Sequence, residues 1–319
     1  MKDYIKETFL NTSLLPKEVK IVTISGKCKL GVEFNIENIF DYIDTTNLMN
    51  VQYRNNIRRN PLNDNGKKKI SKKKLDGKKK DFQNQVSIAL NPNIEDYPNS
   101  TVSTKIFKNG SLQFTGFRSV LSMNITLNRI IDELSKDFAI ISEEDNKIIE
   151  KPFVKDNNKI SLSNFEMTMI NSNFNIGFKL KLYNLYDLIK GKIENDKNLN
   201  VSSDNLKDHL KYDPDIHAAV IYKLYVRDDN DNKKKFKKKV SFLIFEKGPV
   251  NITGVKSIND LVESYEFIKN LLLENKKSIE SLDVEVDADH NHDLIKLNDD
   301  EDLLELALKN LEIDNNLVA

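Results

Sequence analysis

Thr104 to Ser119 reads TKIFKNGSLQFTGFRS, and 138 residues further on Phe242 to Ser257 reads FLIFEKGPVNITGVKS. Ile, Phe, Gly, Thr, Gly and Ser recur at the same six places, with the last three as Thr-Gly-x-x-Ser. In the first copy Ile106 and Phe107 precede Lys-Asn-Gly, a turn whose glycine supplies a positive φ, and Leu112, Phe114 and Thr115 then resume an alternating pattern. That is the signature of a β-hairpin. Two copies of one hairpin predict a duplicated chain.

Working outward, Val19 to Ile43 aligns without gaps on Phe165 to Ile189 at an offset of 146, and Ile24, Gly31, Asn38, Asp41 and Ile43 recur identically. A weaker block sets Phe82 to Leu90 opposite His217 to Tyr225, an offset of 135. Offsets that differ between blocks are expected when loops vary and the scaffold does not. Each repeat reads as strand, helix, several strands and a longer helix. The closing helices are predicted over Asn124–Leu134 and Ile258–Leu273, where apolar residues recur at three- and four-residue spacing. The expected organisation is an arm at 1–16, a first α+β repeat at 17–136 with a Lys-rich insertion at 52–81, a connector at 137–160, a second repeat at 161–280 and a tail at 281–319.

Composition bounds the function. The chain has 319 residues, 39% of them hydrophobic, enough for a substantial core. Its single cysteine, Cys28, can form neither an internal disulfide nor a multi-Cys metal site, which predicts an intracellular, reducing compartment. The longest apolar run, Ala218 to Tyr222, is five residues and the first 20 carry no signal-peptide block, so no membrane association is expected. Lys+Arg and Asp+Glu are equal at 49 each, but they are segregated. Residues 281–319 hold 12 acids and 2 bases, leaving +10 on residues 1–280, and Gln52 to Lys80 alone carries 12 bases and 2 acids. A basic body suits a polyanionic partner; Lys runs in an Asn- and Lys-rich chain also suit solvated insertions.

Alternation gives the functional face, because successive side chains of a strand point to opposite sides. Phe242, Ile244, Val250 and Ile252 make one face of the second hairpin and Leu243, Phe245, Asn251 and Thr253 the other. In the first hairpin Ile106, Leu112 and Phe114 match the core set, while Lys105, Phe107, Gln113 and Thr115 share the opposite face. Helices on one side of an antiparallel sheet leave the other to solvent. A Phe at a strand end on that side needs a reason: contact with a ligand, or cover from a loop or from the junction of the halves.

These residues resemble the TATA-box-binding protein family. Its pattern is an aliphatic residue and Phe before a turn ending in Gly, then Thr-Gly, then a basic residue and Ser opening a helix. Ile106 to Gly110 with Thr115 to Ser119 fits it, as does Ile244 to Gly248 with Thr253 to Ser257. Tyr212-Asp213-Pro214-Asp215-Ile216-His217 is similar to the family's Tyr-acid-Pro-acid-Leu-Phe loop. Asn50 to Tyr53 resembles the start of that loop in the first half, and Phe82 with Pro92 its end. The resemblance implies a duplicated α+β saddle, a curved antiparallel sheet with helices on the convex face and a pseudo-twofold axis. Its underside would bind and bend A·T-rich promoter DNA through the minor groove, with Phe82, Phe107, His217 and Phe245 as wedges. The family's central Asn pair falls at Thr23 and Met169, with Asn171 two residues on as a substitute. Gln113 and Asn251 would donate to A N3 or T O2. Thr115, Thr253, Lys105, Leu243, Arg118, Lys256 and Lys223 complete the expected DNA-binding set, and Asp213, Asp215 and Ile216 would meet a B-type initiation factor that brings RNA polymerase. The Lys- and Asn-rich composition is similar to TATA-binding-like proteins of large cytoplasmic DNA viruses, which puts the workplace in the nucleus or in a viral factory.

Other sites are weaker. Asp287 to Asp293 imitates the start of a calcium loop, but His292 stands where Gly is needed and Asn298 where Glu should close it, so no metal is expected. No nucleophile-base-acid set is legible, so no enzyme, cofactor or small-molecule substrate is expected. Asp299 to Asp302 followed by Leu303, Leu304, Leu308 and Leu311 reads as an acidic amphipathic helix, either a solvated or packed terminus or a mimic of DNA charge. The rival functional reading keeps the fold as a protein-interaction scaffold with weak or no specific DNA binding.

Overall fold

The computed structural model describes residues 2–54, 56–59, 84–155, 159–195, 206–227 and 236–281. The predicted insertion beyond Arg59, Phe82 and the tail from 282 lie outside the described residues. The first half contains β1 (Lys20–Lys29), α1 (Ile36–Tyr42), β2 (Asn50–Tyr53), β3 (Asn56–Arg59), β4 (Gln85–Leu90), β5 (Val102–Phe107), β6 (Ser111–Phe117) and α2 (Val120–Leu134). A small hairpin, β7 (Ala139–Ile141) and β8 (Ile148–Glu150), stands in the connector. The second half contains β9 (Ser163–Asn175), α3 (Leu182–Asn195), α4 (Leu206–His209), β10 (Leu210–Lys211), β11 (Ala219–Arg227), β12 (Phe236–Phe245), β13 (Pro249–Val255), α5 (Ile258–Glu274) and α6 (Lys276–Ile279).

Eleven strands form one sheet in the order β10-β11-β12-β13-β9-β1-β6-β5-β4-β2-β3, every paired neighbour antiparallel. Read from its centre, between β9 and β1, the order runs through five matching strands in each direction, with β3 added at one end. The registers repeat too. Lys27 opposite Gln113 and Cys28 opposite Leu112 become, 146 and 138 residues on, Asn173 opposite Asn251 and Phe174 opposite Val250. At the turns, the Leu30 and Phe34 N–H groups donate to the Gly110 and Lys108 carbonyls, and Ile176 and Leu180 do the same to Gly248 and Glu246. The first and third sequence blocks are therefore structural repeats.

The second block is corrected by one residue. Gln85 faces Phe107 while Ala219 faces Phe245, so the offset between β4 and β11 is 134 and not 135. Pairing with the hairpin Phe fixes this register. Anchoring on Phe82 and His217 missed it because the connection ahead of β4 differs in length from that ahead of β11.

Helices cover one face. Val120, Met123, Leu127, Ile130, Ile131 and Leu134 of α2, and Ile258, Leu261, Tyr265, Ile268, Leu271 and Leu272 of α5, are buried at helical spacing. They cover Ile106, Leu112 and Phe114 and their mates Ile244, Val250 and Ile252, all at most 1% exposed. Each such side chain contributes about 1.5–3 kcal/mol. The helices begin where the sequence places Ser: Ser119 Oγ accepts the Ser122 N–H and Ser257 Oγ the Asp260 N–H, both at 3.1 Å. Gly116 and Gly254, with φ of 111° and 91°, sit at the matching irregularities ahead of these caps. A Cβ on Gly116 would lie 2.2 Å from the Thr101 carbonyl oxygen.

Two segments read as connections are built in. The arm lies along α2: the Ile5 N–H donates to Asn124 Oδ1 (2.8 Å), Asn124 Nδ2 returns a bond to the Ile5 carbonyl (2.9 Å), and Asn128 makes the same exchange with Lys2. At the start of the insertion, β3 extends the sheet and the Arg58 guanidinium donates to the Phe40 and Ile43 carbonyls at the C-terminus of α1. That cation is therefore engaged with a helix end.

Candidate nucleic-acid interface

The face opposite the helices is built from rows of cross-strand neighbours. In the first half one row is Ser87, Lys105, Gln113 and Lys27, and the next is Ala89, Ser103, Thr115 and Ser25. In the second half the mates are Ile221, Leu243, Asn251 and Asn173, then Lys223, Ser241 and Thr253. Phe107 and Phe245 end their strands on this face; both are half-buried and neither belongs to the apolar core or packs against it. Each is held by the same turn, since the Phe107 and Phe245 carbonyls accept the Gly110 and Gly248 N–H groups at 3.0 Å. Neither ring is therefore part of the hydrophobic interior.

His217 is half-buried, two residues ahead of the start of β11 at Ala219, in a turn organised by Asp213. The Asp213 carbonyl accepts the Ile216 N–H (3.0 Å) and the His217 N–H (2.7 Å), and its carboxylate accepts the Asp215 N–H (3.1 Å). Asp213, Asp215 and Ile216 stand in solvent, with Ile216 68% exposed.

The floor differs from the open polar surface expected. Lys105, Gln113 and Thr115 are exposed, but Thr23, Asn171, Thr253, Leu243 and Lys223 are 6%, 2%, 5%, 8% and 5% exposed. Thr23 and Asn171 are cross-strand partners at the centre, and Met169, half-buried, faces Ser25. On the inside of a curved sheet short side chains such as Thr23 and Asn171 converge and shield one another, whereas Lys105 and Gln113 carry their polar ends out to water and Lys223 does not. Thr23 Oγ1 and Asn171 Oδ1 have no hydrogen-bond partner among the described residues. Thr23, expected to take the place of one family Asn, is thus a closed floor residue, and Asn171 pairs with it across the centre. Arg118 lies over the Tyr97 ring at 5.2 Å, and Lys256, its mate, is exposed.

Sequence reasoning left out Lys27, Lys29, Ile221 and Asn173, all on this face. Continuing the alternation from Thr23 to Lys27 and Lys29 would have found the lysines. Lys27 is paired with Glu166 at 3.1 Å across β1 and β9. Among the described residues no three His, Cys, Asp or Glu gather as a metal site, and burial pushes the Cys28 thiol up to about 12. No described helix is long and apolar enough to cross a membrane. The calcium-like run at Asp287 and the acidic helix of the tail lie outside the described residues.

A family model described as "Transcription factor TFIID (or TATA-binding protein, TBP)" matches residues 164–275, the second half. The structure of Methanococcus jannaschii TBP aligns with a TM-score of 0.44 at 19% identity, covering 81% of this chain and 99% of that one. A "TATA-box-binding protein-like" protein of Acanthamoeba polyphaga mimivirus is 30% identical over 289 residues, spanning 88% of this chain and 71% of the relative. That alignment takes in both repeats. The chain belongs to the TATA-box-binding protein family.

Proposed function

We propose that the protein is a transcription initiation factor that binds A·T-rich promoter DNA in the minor groove, bends it, and recruits an RNA polymerase through a B-type factor docked on the Asp213–Ile216 turn. One observation carries the reading: Phe107 and Phe245 occupy matching strand ends on the helix-free face, half-exposed and outside the core. Insertion of such rings between base steps unstacks them and kinks the duplex, a mode for which this family is itself a standard example. The unstacking cost is least at flexible pyrimidine–purine steps, so preference for A·T sequence arises with few base-specific hydrogen bonds. His217, smaller and more polar than Phe, makes the wedge beside Phe245 the weaker one.

Such a factor works where the template is, in the nucleus or in a cytoplasmic viral factory. The test is duplex binding by the Phe107→Ala/Phe245→Ala double variant, with its melting temperature measured alongside. A DNA binder loses roughly tenfold affinity or more. A scaffold that never bends DNA keeps whatever weak binding its charge gives and still captures the B-type factor.

A further inference from the structure

We infer that the two halves of the groove face accept different base pairs, so that the protein seats on a duplex in one orientation with its second half over the stretch that must be A·T. This rests on the DNA-binding reading above.

The repeat relation supplies the comparison, because each second-half position has a first-half mate fixed by register. Ser87 corresponds to Ile221 and Lys105 to Leu243, each pair adjacent across its own strands. At the strand ends Gln85 corresponds to Ala219 and Lys29 to Asn175. The amides Gln113 and Asn251 are mates and do not discriminate. Lys27 contributes little, since Glu166 pairs with it, and Lys20 sets one cation opposite Asn173 on the other side. The contrast is carried by Ile221 and Leu243 against Ser87 and Lys105.

In the minor groove A·T and T·A pairs show only acceptors, whereas G·C adds the guanine N2 amino donor. Over Ile221 and Leu243 that amino group would meet aliphatic carbon, with no acceptor on either side chain and no water once the face closes. Over the first half, the Ser87 hydroxyl is an acceptor, and the Lys105 ammonium is long enough to reach a phosphate and leave the base edge free. A G·C pair should therefore weaken binding by about five- to a hundredfold under the second half and far less under the first.

The test uses a duplex with an A·T half-site and a G·C-containing half-site. Lys247→Cys, in the exposed turn after Phe245, carries a tethered iron chelate that cleaves nearby DNA; buried Cys28 stays unlabelled. Cleavage at the A·T end at least fivefold over the G·C end is expected, and Lys105→Leu/Leu243→Lys should abolish or reverse the bias. Ser87→Ile, which leaves the second half untouched, should make the first half reject G·C as well. Equal cleavage at both ends by Lys247→Cys overturns the inference and leaves DNA binding standing. Failure to retain any duplex, A·T throughout included, overturns the DNA reading and the inference with it.

Discussion

Ile24 and Ile170 face one another across β1 and β9, both with no exposed surface, and they are the same position of the two repeats, 146 residues apart. The pseudo-twofold axis therefore passes through this pair. On either side the relation swaps partners: Thr23 faces Asn171, and Ser25 faces Met169. The halves are joined by the two central strands, so the core at the axis and the placing of Phe107 and Phe245 are one problem.

Truncation at the axis should weaken both halves together. Ile24→Ala and Ile170→Ala each remove a fully buried side chain and should cost about 2–5 kcal/mol. Because the two share one contact, the double variant should depart from additivity. Urea unfolding of the four-member cycle checks this, and two separate transitions in the double variant would show that the halves are stable apart.

The Thr-Gly bulge should not tolerate a side chain. Gly116→Ala places a methyl against the Thr101 carbonyl at a φ of 111°, which strains the backbone and crowds it. A loss of about 2–3 kcal/mol is expected, read as a fall in melting temperature.

The arm should come loose without its asparagine. Asn124 is 4% exposed and makes two bonds to the Ile5 backbone. Asn124→Ala leaves both Ile5 groups unmatched in a buried place, about 1–3 kcal/mol. Limited proteolysis should then cut before Lys20 many times faster than in the unaltered protein.

A pH signature should come from the other end of the arm. The Glu18 carboxylate accepts a hydrogen bond from the Tyr265 hydroxyl and another from Lys269 Nζ, and these hold its pKa at about 2 against an ordinary 4.5. A folded-state pKa below the unfolded one gives stability that is complete above about pH 4.5 and disappears as the pH falls toward 2. Glu18→Gln should be less stable than wild type in urea at pH 6, with the two curves converging by pH 2 to 3.

Much of this was legible in the residues. The hairpin pair gave Phe107 and Phe245 their positions, and the gapless first block gave the strand and helix that precede them. What escaped had particular causes. The arm reads as a tether because Tyr4, Ile5, Phe9 and Leu10 show no helical or strand period; Asn124 and Asn128 hold the backbones of Ile5 and Lys2, and nothing in a sequence marks an Asn as a backbone clamp. The closed floor at Thr23 and Asn171 follows from sheet curvature, which residue alternation does not encode. The one-residue error at β4 arose because Phe82 and His217, and not the pairing with Phe107 and Phe245, anchored the alignment.

The most direct measurement is the bend itself. Energy transfer between dyes at the two ends of a short duplex with a central A·T tract reports the end-to-end distance on binding. The wild-type protein should shorten it sharply, and Phe107→Ala/Phe245→Ala should leave the bound duplex nearly straight. A duplex that stays straight when bound by the wild-type protein, or bends equally with both rings removed, would contradict the account.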